Sequence, residues 1–202
     1  MSGGGAHGDP FRGRGLRKRT VSAGDEYWFV TNDRYSDLPQ RSGSFQAMVR
    51  AGDSVTAYLR SGRGDPVVLL RRTDLADPVW GTILAEVAGR FRAILPEKVP
   101  EGDGFASWFR SFLDGLGLGT VRVVADAHYG MSCATTGMLD PDWLSSLVVV
   151  CPATDRDRVA AALQAAAEPL VSTAIIDSDG QDQDRVAADV LRLLTATASS
   201  TG

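Results

Sequence analysis

The chain has 202 residues, of which 44% are hydrophobic and 23% charged, and its formal net charge is −4. These values lie close to globular averages and exclude an intrinsically disordered chain, while the length suits one domain with a real core. No apolar run approaches the roughly 18–20 residues that a membrane-spanning helix needs, and the basic N-terminus lacks the apolar stretch of a secretory leader, so a cytoplasmic protein is expected.

Residues 1–23 are Gly-rich, basic and without periodicity, which predicts a disordered tail ahead of an ordered domain over 24–196, with 197–202 again disordered. Arg12, Arg14, Arg17, Lys18 and Arg19 stand there against Asp9 alone. Arginines spaced by glycine can follow a phosphate backbone. The rest of the chain is acidic and holds no recognised nucleic-acid module, so a solubilising or partner-docking tail is the preferred reading. Outside the tail Lys98 is the single lysine, so arginine is this chain's ordinary cation and carries less functional information than usual.

Tyr27-Trp28-Phe29-Val30 is the first concentrated apolar segment and has strand-type residues. Phe45, Met48 and Val49 fit a turn and a half of helix before Gly52. Ser54 to Leu59 alternates as a strand with Val55, Ala57 and Leu59 on one face. The turn-forming run Ser61 to Pro66 then leads to a strand over Val67 to Leu70, and the two strands are expected to pair as a hairpin. A helix is expected from Asp77 to Leu95, capped by Asp77, opened by Pro78 and ended by Pro96. Phe105, Trp108, Phe109, Phe112, Leu113 and Leu116 form a second apolar ridge, stopped by Gly115, Gly117 and Gly119.

Val121 to Ala125 reads as a strand and Gly130 to Trp143 as an irregular loop. A strand–helix–strand–helix segment closes the chain: Leu147 to Cys151, Asp155 to Glu168, Leu170 to Ile176 and Asp182 to Leu194. Strands this uniformly apolar are covered on both faces. The fold class is therefore α/β (or α+β), a single domain whose mixed sheet of about five strands is covered by about four helices.

Asp126, His128 and Cys133 make the one cluster of catalytic residue types. A His beside a Cys can generate a thiolate, and an aspartate can orient the imidazole; the bland alternative is a loop histidine and a small buried thiol. Cys133 and Cys151 do not make a disulfide scaffold. Without CxxC or paired histidines, a zinc site is not expected. The acidic run Asp177 to Asp184 fails the calcium-loop spacing, since its twelfth position is Ala188 rather than glutamate. Ala174 to Gly180 also resembles the strand-plus-DxDG opening motif of haloacid-dehalogenase-type phosphotransferases, which would imply Mg²⁺. Only 22 residues follow Gly180, so that family's later motifs have no place. No cofactor is expected. Gly115-Leu116-Gly117-Leu118-Gly119 precedes a strand, whereas a phosphate-binding loop precedes a helix.

The expectation from sequence is a non-catalytic binding or accessory protein that docks on a protein partner or self-associates, with Phe105, Trp108, Phe109 and Phe112 as a possible docking ridge. The alternative is a small transferase or hydrolase using Cys133 and His128.

Overall fold

In the computed structural model, which describes residues 17–20, 26–29, 45–72, 78–135, 142–166 and 171–198, the chain opens with four antiparallel strands. β1 (Arg17–Thr20) pairs with β2 (Glu26–Phe29), β2 touches β3 (Phe45–Ala51), and β3 pairs along its length with β4 (Ser54–Ser61). Arg17, Lys18 and Arg19 of the basic segment lie in β1, and Arg12 and Arg14 lie outside the described residues. Phe45–Ala51 is a strand and not the expected short helix. Its period-two burial at Ala47, Val49 and Ala51 is the pattern of a half-covered strand, and a two-residue hairpin through Gly52 and Asp53 joins it to Ser54. Gly52 has φ +62°, a conformation that strains any residue with a Cβ.

From here the chain winds an α/β domain. β5 (Pro66–Leu70) leads to α1 (Pro78–Ala88), then β6 (Arg92–Pro96), α2 (Gly104–Gly115), β7 (Val121–Asp126) and α3 (Ala127–Thr135). β8 (Leu144–Cys151), α4 (Ala153–Ala165), β9 (Ser172–Asp177) and α5 (Gln183–Ala198) complete it. The strand order is β1-β2-β3-β4-β6-β5-β7-β8-β9, with β5 to β9 mutually parallel and β4 antiparallel to β6. The seven strands from Phe45 onward form the mixed sheet that carries the helices.

Three expectations are corrected here. The helix over 77–95 stops at Ala88, and Arg92–Pro96 is a strand inserted between β4 and β5, so those two do not form a hairpin. Local pattern could not show this, because Phe91, Ile94 and Leu95 extend the helical stripe while alternation in so short a strand is weak. Val55 is exposed, although Leu59 on the same face of β4 is buried. The expected loop from Gly130 begins as helix α3.

Two apolar layers sandwich the sheet. Phe105, Trp108, Phe109 and Phe112 of α2, Tyr129 and Cys133 of α3, and Val159 of α4 pack against one face. Trp80, Ile83, Leu84 and Val87 of α1, and Val186, Val190 and Leu194 of α5, pack against the other. The α/β class and the mixed, helix-covered sheet read from the sequence stand, with more strands and one more helix than expected. No helix among the described residues is long and apolar enough to cross a membrane.

Candidate functional site

Adjacent parallel strands β5 and β7 send their following helices to opposite faces: α1 leaves β5 for one layer and α3 leaves β7 for the other. In open α/β sheets such a divergence leaves a crevice beyond the carboxyl ends of the strands. A cleft of about 590 Å³ lies there. Arg72 enters it from beyond β5, Asp126 and His128 from the end of β7, Asp155 and Arg158 from the first turns of α4, and Ser178 from beyond β9. Trp80 and Met131 supply apolar wall.

Asp126 ties the two diverging segments together. One carboxylate oxygen, Oδ1, accepts the backbone N–H of Tyr129 at 2.9 Å, which caps α3 at its third helical position. The other, Oδ2, accepts the backbone N–H of Arg72 at 2.6 Å, across the crevice. Helix α3 therefore starts directly on the last residue of β7, with His128 in its first turn. Gly130 follows two residues later, where a Cβ would lie 2.7 Å from both methyls of Val149. Glycine is what lets α3 sit this close to β8.

The His128 side chain is about one-third exposed and lines the cleft; its Nε2 is buried and has no hydrogen-bond partner. Glu101 Oε1 lies 3.8 Å from that nitrogen, within ion-pair range but beyond hydrogen-bond range. The same oxygen pairs with Arg72 Nε at 3.3 Å. Glu101 arrives on the β6–α2 connection, which is pinned where the Tyr129 hydroxyl donates to the Val99 carbonyl at 3.0 Å. Burial, with help from the Asp126 and Glu101 carboxylates, pushes the Tyr129 phenol up to about 12, so it stays a hydrogen-bond donor.

On the far side of the crevice Arg158 pairs with Asp155 at 2.7 Å. Asp179 Oδ2 accepts the N–H of Ala153 at 2.9 Å and so caps α4 from the neighbouring loop. The acidic run after β9 thus has a structural use, and among the described residues no three His, Cys, Asp or Glu side chains are grouped to hold a metal ion.

Of the three expected site residues, the structure brings Asp126 and His128 to the cleft and turns Cys133 away from it. Cys133 is fully buried against the opposite side of α3, and that burial pushes its thiol up to about 12. A Cys133 thiolate activated by His128 is therefore corrected to a structural thiol. Cys151 is also a buried free thiol, raised by burial and by the carboxylates of Asp155 and Asp177. The docking ridge is corrected as well: Phe105, Phe109 and Phe112 are fully buried and Trp108 nearly so, with its indole N–H donating to Thr56 Oγ1 at 3.0 Å. Arg72, Glu101, Arg158 and Ser178 were not singled out from the sequence. Arg72 stands two residues beyond β5 and Ser178 directly after β9, a signal that could have found them; Glu101 sits in a connection with no pattern of its own.

No family model and no curated protein matches this chain. Solved structures that resemble it are of the α/β-hydrolase type. They include an epoxide hydrolase from Vigna radiata, at 17% identity and TM-score 0.46, covering 55% of this chain and 41% of that one. A carboxylesterase from Bacillus subtilis aligns at 21% identity and TM-score 0.48, covering 57% and 45%. A meta-cleavage product hydrolase from Pseudomonas fluorescens aligns at 20% identity and TM-score 0.45, covering 52% and 44%. The chain spans less than half the length of these structures, and likeness at this level assigns it no activity of theirs. The hydrolase titles of these structures stand against the expectation of a non-catalytic accessory or protein-binding role; the cleft itself is lined by His128, Asp126, Arg72 and Arg158.

Proposed function

We propose that this chain is a hydrolase that works at the crevice between β5 and β7, with His128 as the base that activates water. The observation that carries the reading is the placement of His128: the first turn of the helix after a central parallel strand, its imidazole lining the cleft while its Nε2 is turned inward, buried and without a hydrogen-bond partner. The imidazole nitrogen on the cleft side of the ring takes one proton from a bound water as the water oxygen bonds to the substrate's electrophilic centre. The imidazolium then returns that proton to the departing group. Glu101 Oε1 stands 3.8 Å from the ring, beside the imidazolium that forms in between. Arg72 and Arg158 provide two cations at opposite sides of the cleft for a polar or anionic substrate group. The same reading places the chain in the cytoplasm, where a reducing environment suits two buried free thiols.

The test is a panel of chromogenic substrates with acyl, phosphoryl and glycosyl centres, assayed with the full chain and with His128→Ala and His128→Asn. Turnover of at least one class, lowered roughly 10²–10⁴-fold in both variants, is expected. Absence of any turnover above the variants across the panel overturns the reading.

A further inference from the structure

We propose that Asp126 determines which bonds the crevice can cleave, because its carboxylate occupies the two backbone donors that would otherwise face a developing oxyanion. Acyl transfer builds negative charge on a carbonyl oxygen, and enzymes stabilise it with fixed N–H donors in a water-poor site. In α/β-hydrolases those donors are the N–H of the residue after the nucleophile and an N–H from the loop after a neighbouring strand. We set beside them the two backbone donors that converge at the end of β7, the N–H of Tyr129, which follows His128, and the N–H of Arg72, beyond β5. Both are committed to one side chain, at 2.9 Å through Oδ1 and at 2.6 Å through Oδ2.

Two consequences follow from charge and geometry. The donors are no longer free for a substrate oxygen, and a fixed negative charge stands where another would have to form, which repels it. Carboxylic esters, thioesters and amides are therefore excluded as substrates of the native chain. The bonds left to it are those whose cleavage puts no new charge at that point. A glycosyl centre, where positive charge develops beside the Asp126 carboxylate, fits this polarity. The choice of substrate class rests on the reading of His128 as the water-activating base, whereas the occupation of the two donors does not.

The experiment separates the two. Asp126→Ser removes the charge and leaves the Arg72 N–H free, while the serine hydroxyl still caps α3 as a good N-cap residue. The backbone amide signals of Arg72 and Tyr129 are followed by ¹H–¹⁵N spectroscopy as phenylphosphonate, a stand-in for a tetrahedral oxyanion, is added at millimolar levels. No shift in the native chain and a saturable shift of the Arg72 amide in Asp126→Ser are expected. Hydrolysis of p-nitrophenyl acetate should rise roughly 10²-fold in Asp126→Ser over the native chain, matching the gain from one freed oxyanion donor. That rise should be abolished by adding His128→Ala.

Asp126→Asn is the second variant: its single carbonyl oxygen can satisfy only one of the two donors, so one amide alone should respond. Equal shifts in native and variant chains, or a folded Asp126→Ser and Asp126→Asn in which neither amide responds, overturn the occupation of the donors. A responding Arg72 amide with no gain in ester hydrolysis overturns the assignment of substrate class. Failure of the His128 reading shows separately, as a rise in ester hydrolysis that survives His128→Ala.

Discussion

Replacing Gly130 by alanine sets two effects of opposite sign against each other. Alanine is about 1 kcal/mol better than glycine inside a helix, and Gly130 lies within α3. Its Cβ, however, would sit 2.7 Å from both Cγ1 and Cγ2 of Val149 and 3.3 Å from its Cβ. Val149 is fully buried on β8, between β7 and β9, and a β-branched side chain with both methyls in the clash has no rotamer that escapes it. Overpacking of this kind costs about 1–3 kcal/mol, and more where the backbone must move. With no rotamer to relieve it the clash lies in the upper part of that range, about 2–3 kcal/mol, and a net loss of about 1–2 kcal/mol is expected. For a chain this long that lowers the melting temperature by roughly 2–8 °C.

Urea unfolding followed by circular dichroism measures the loss, and Val149→Ala supplies the control. Alone it removes two buried methyls, worth about 1.6 kcal/mol before any cavity penalty. Combined with Gly130→Ala it makes room for the new Cβ. The double variant should therefore be at least about 1 kcal/mol more stable than the sum of the single losses predicts. A Gly130→Ala chain as stable as the native one, or additive losses in the double variant, would refute the claim that glycine is needed for close approach of α3 to β8.

Trp108→Ala should cost about 3–5 kcal/mol, because it empties a core site and strands the Thr56 hydroxyl; Trp108→Phe should cost about 1–3 kcal/mol through the lost hydrogen bond and the void left by the smaller ring, and both are read by urea unfolding. Iodoacetamide should label Cys133 in the folded chain slowly at pH 8, and no more slowly when His128 is replaced by alanine, since burial rather than the imidazole governs the thiol; rapid labelling dependent on His128 would contradict this. Cys133 also sets an alkaline limit. Its thiol is held up to about 12 in the folded chain from 9.0, so between these values the unfolded chain has lost a proton that the folded chain keeps. That stabilisation is present below pH 9 and is lost as pH rises, by up to about 1.4 kcal/mol per pH unit, and Cys133→Ala should flatten this limb of the stability profile. Asp179→Ala should cost about 0.5–2 kcal/mol by removing the cap on Ala153, measurable by thermal unfolding; no change would mean that water replaces the carboxylate at no cost.

The apolar runs of β5, β7, β8 and β9, and the three-and-four spacing of α2, were readable because each element's burial is written into its own few residues. The α/β class follows from them, since strands buried on both faces need helices on both sides. Strand order was not readable. Nothing local to Arg92–Pro96 says that it inserts between β4 and β5, because pairing is a choice among sheet edges made by the whole core. Phe45–Ala51 was misread for a related reason: its spacing fits a short helix and a strand alike, and the hairpin with β4 decided between them.

The site divides in the same way. Asp126 and His128 drew notice by residue type and by following a strand. Only the tertiary structure could show that the Asp126 carboxylate reaches an N–H 54 residues away and that Glu101 arrives beside His128 from another connection. It also shows Cys133 facing the core, five positions along the same helix from His128. Sequence determined which residues have chemistry to offer. The crossing of helices to opposite faces at β5 and β7 decided which of them meet, because a cleft is made by the divergence of chain segments and not by any one of them.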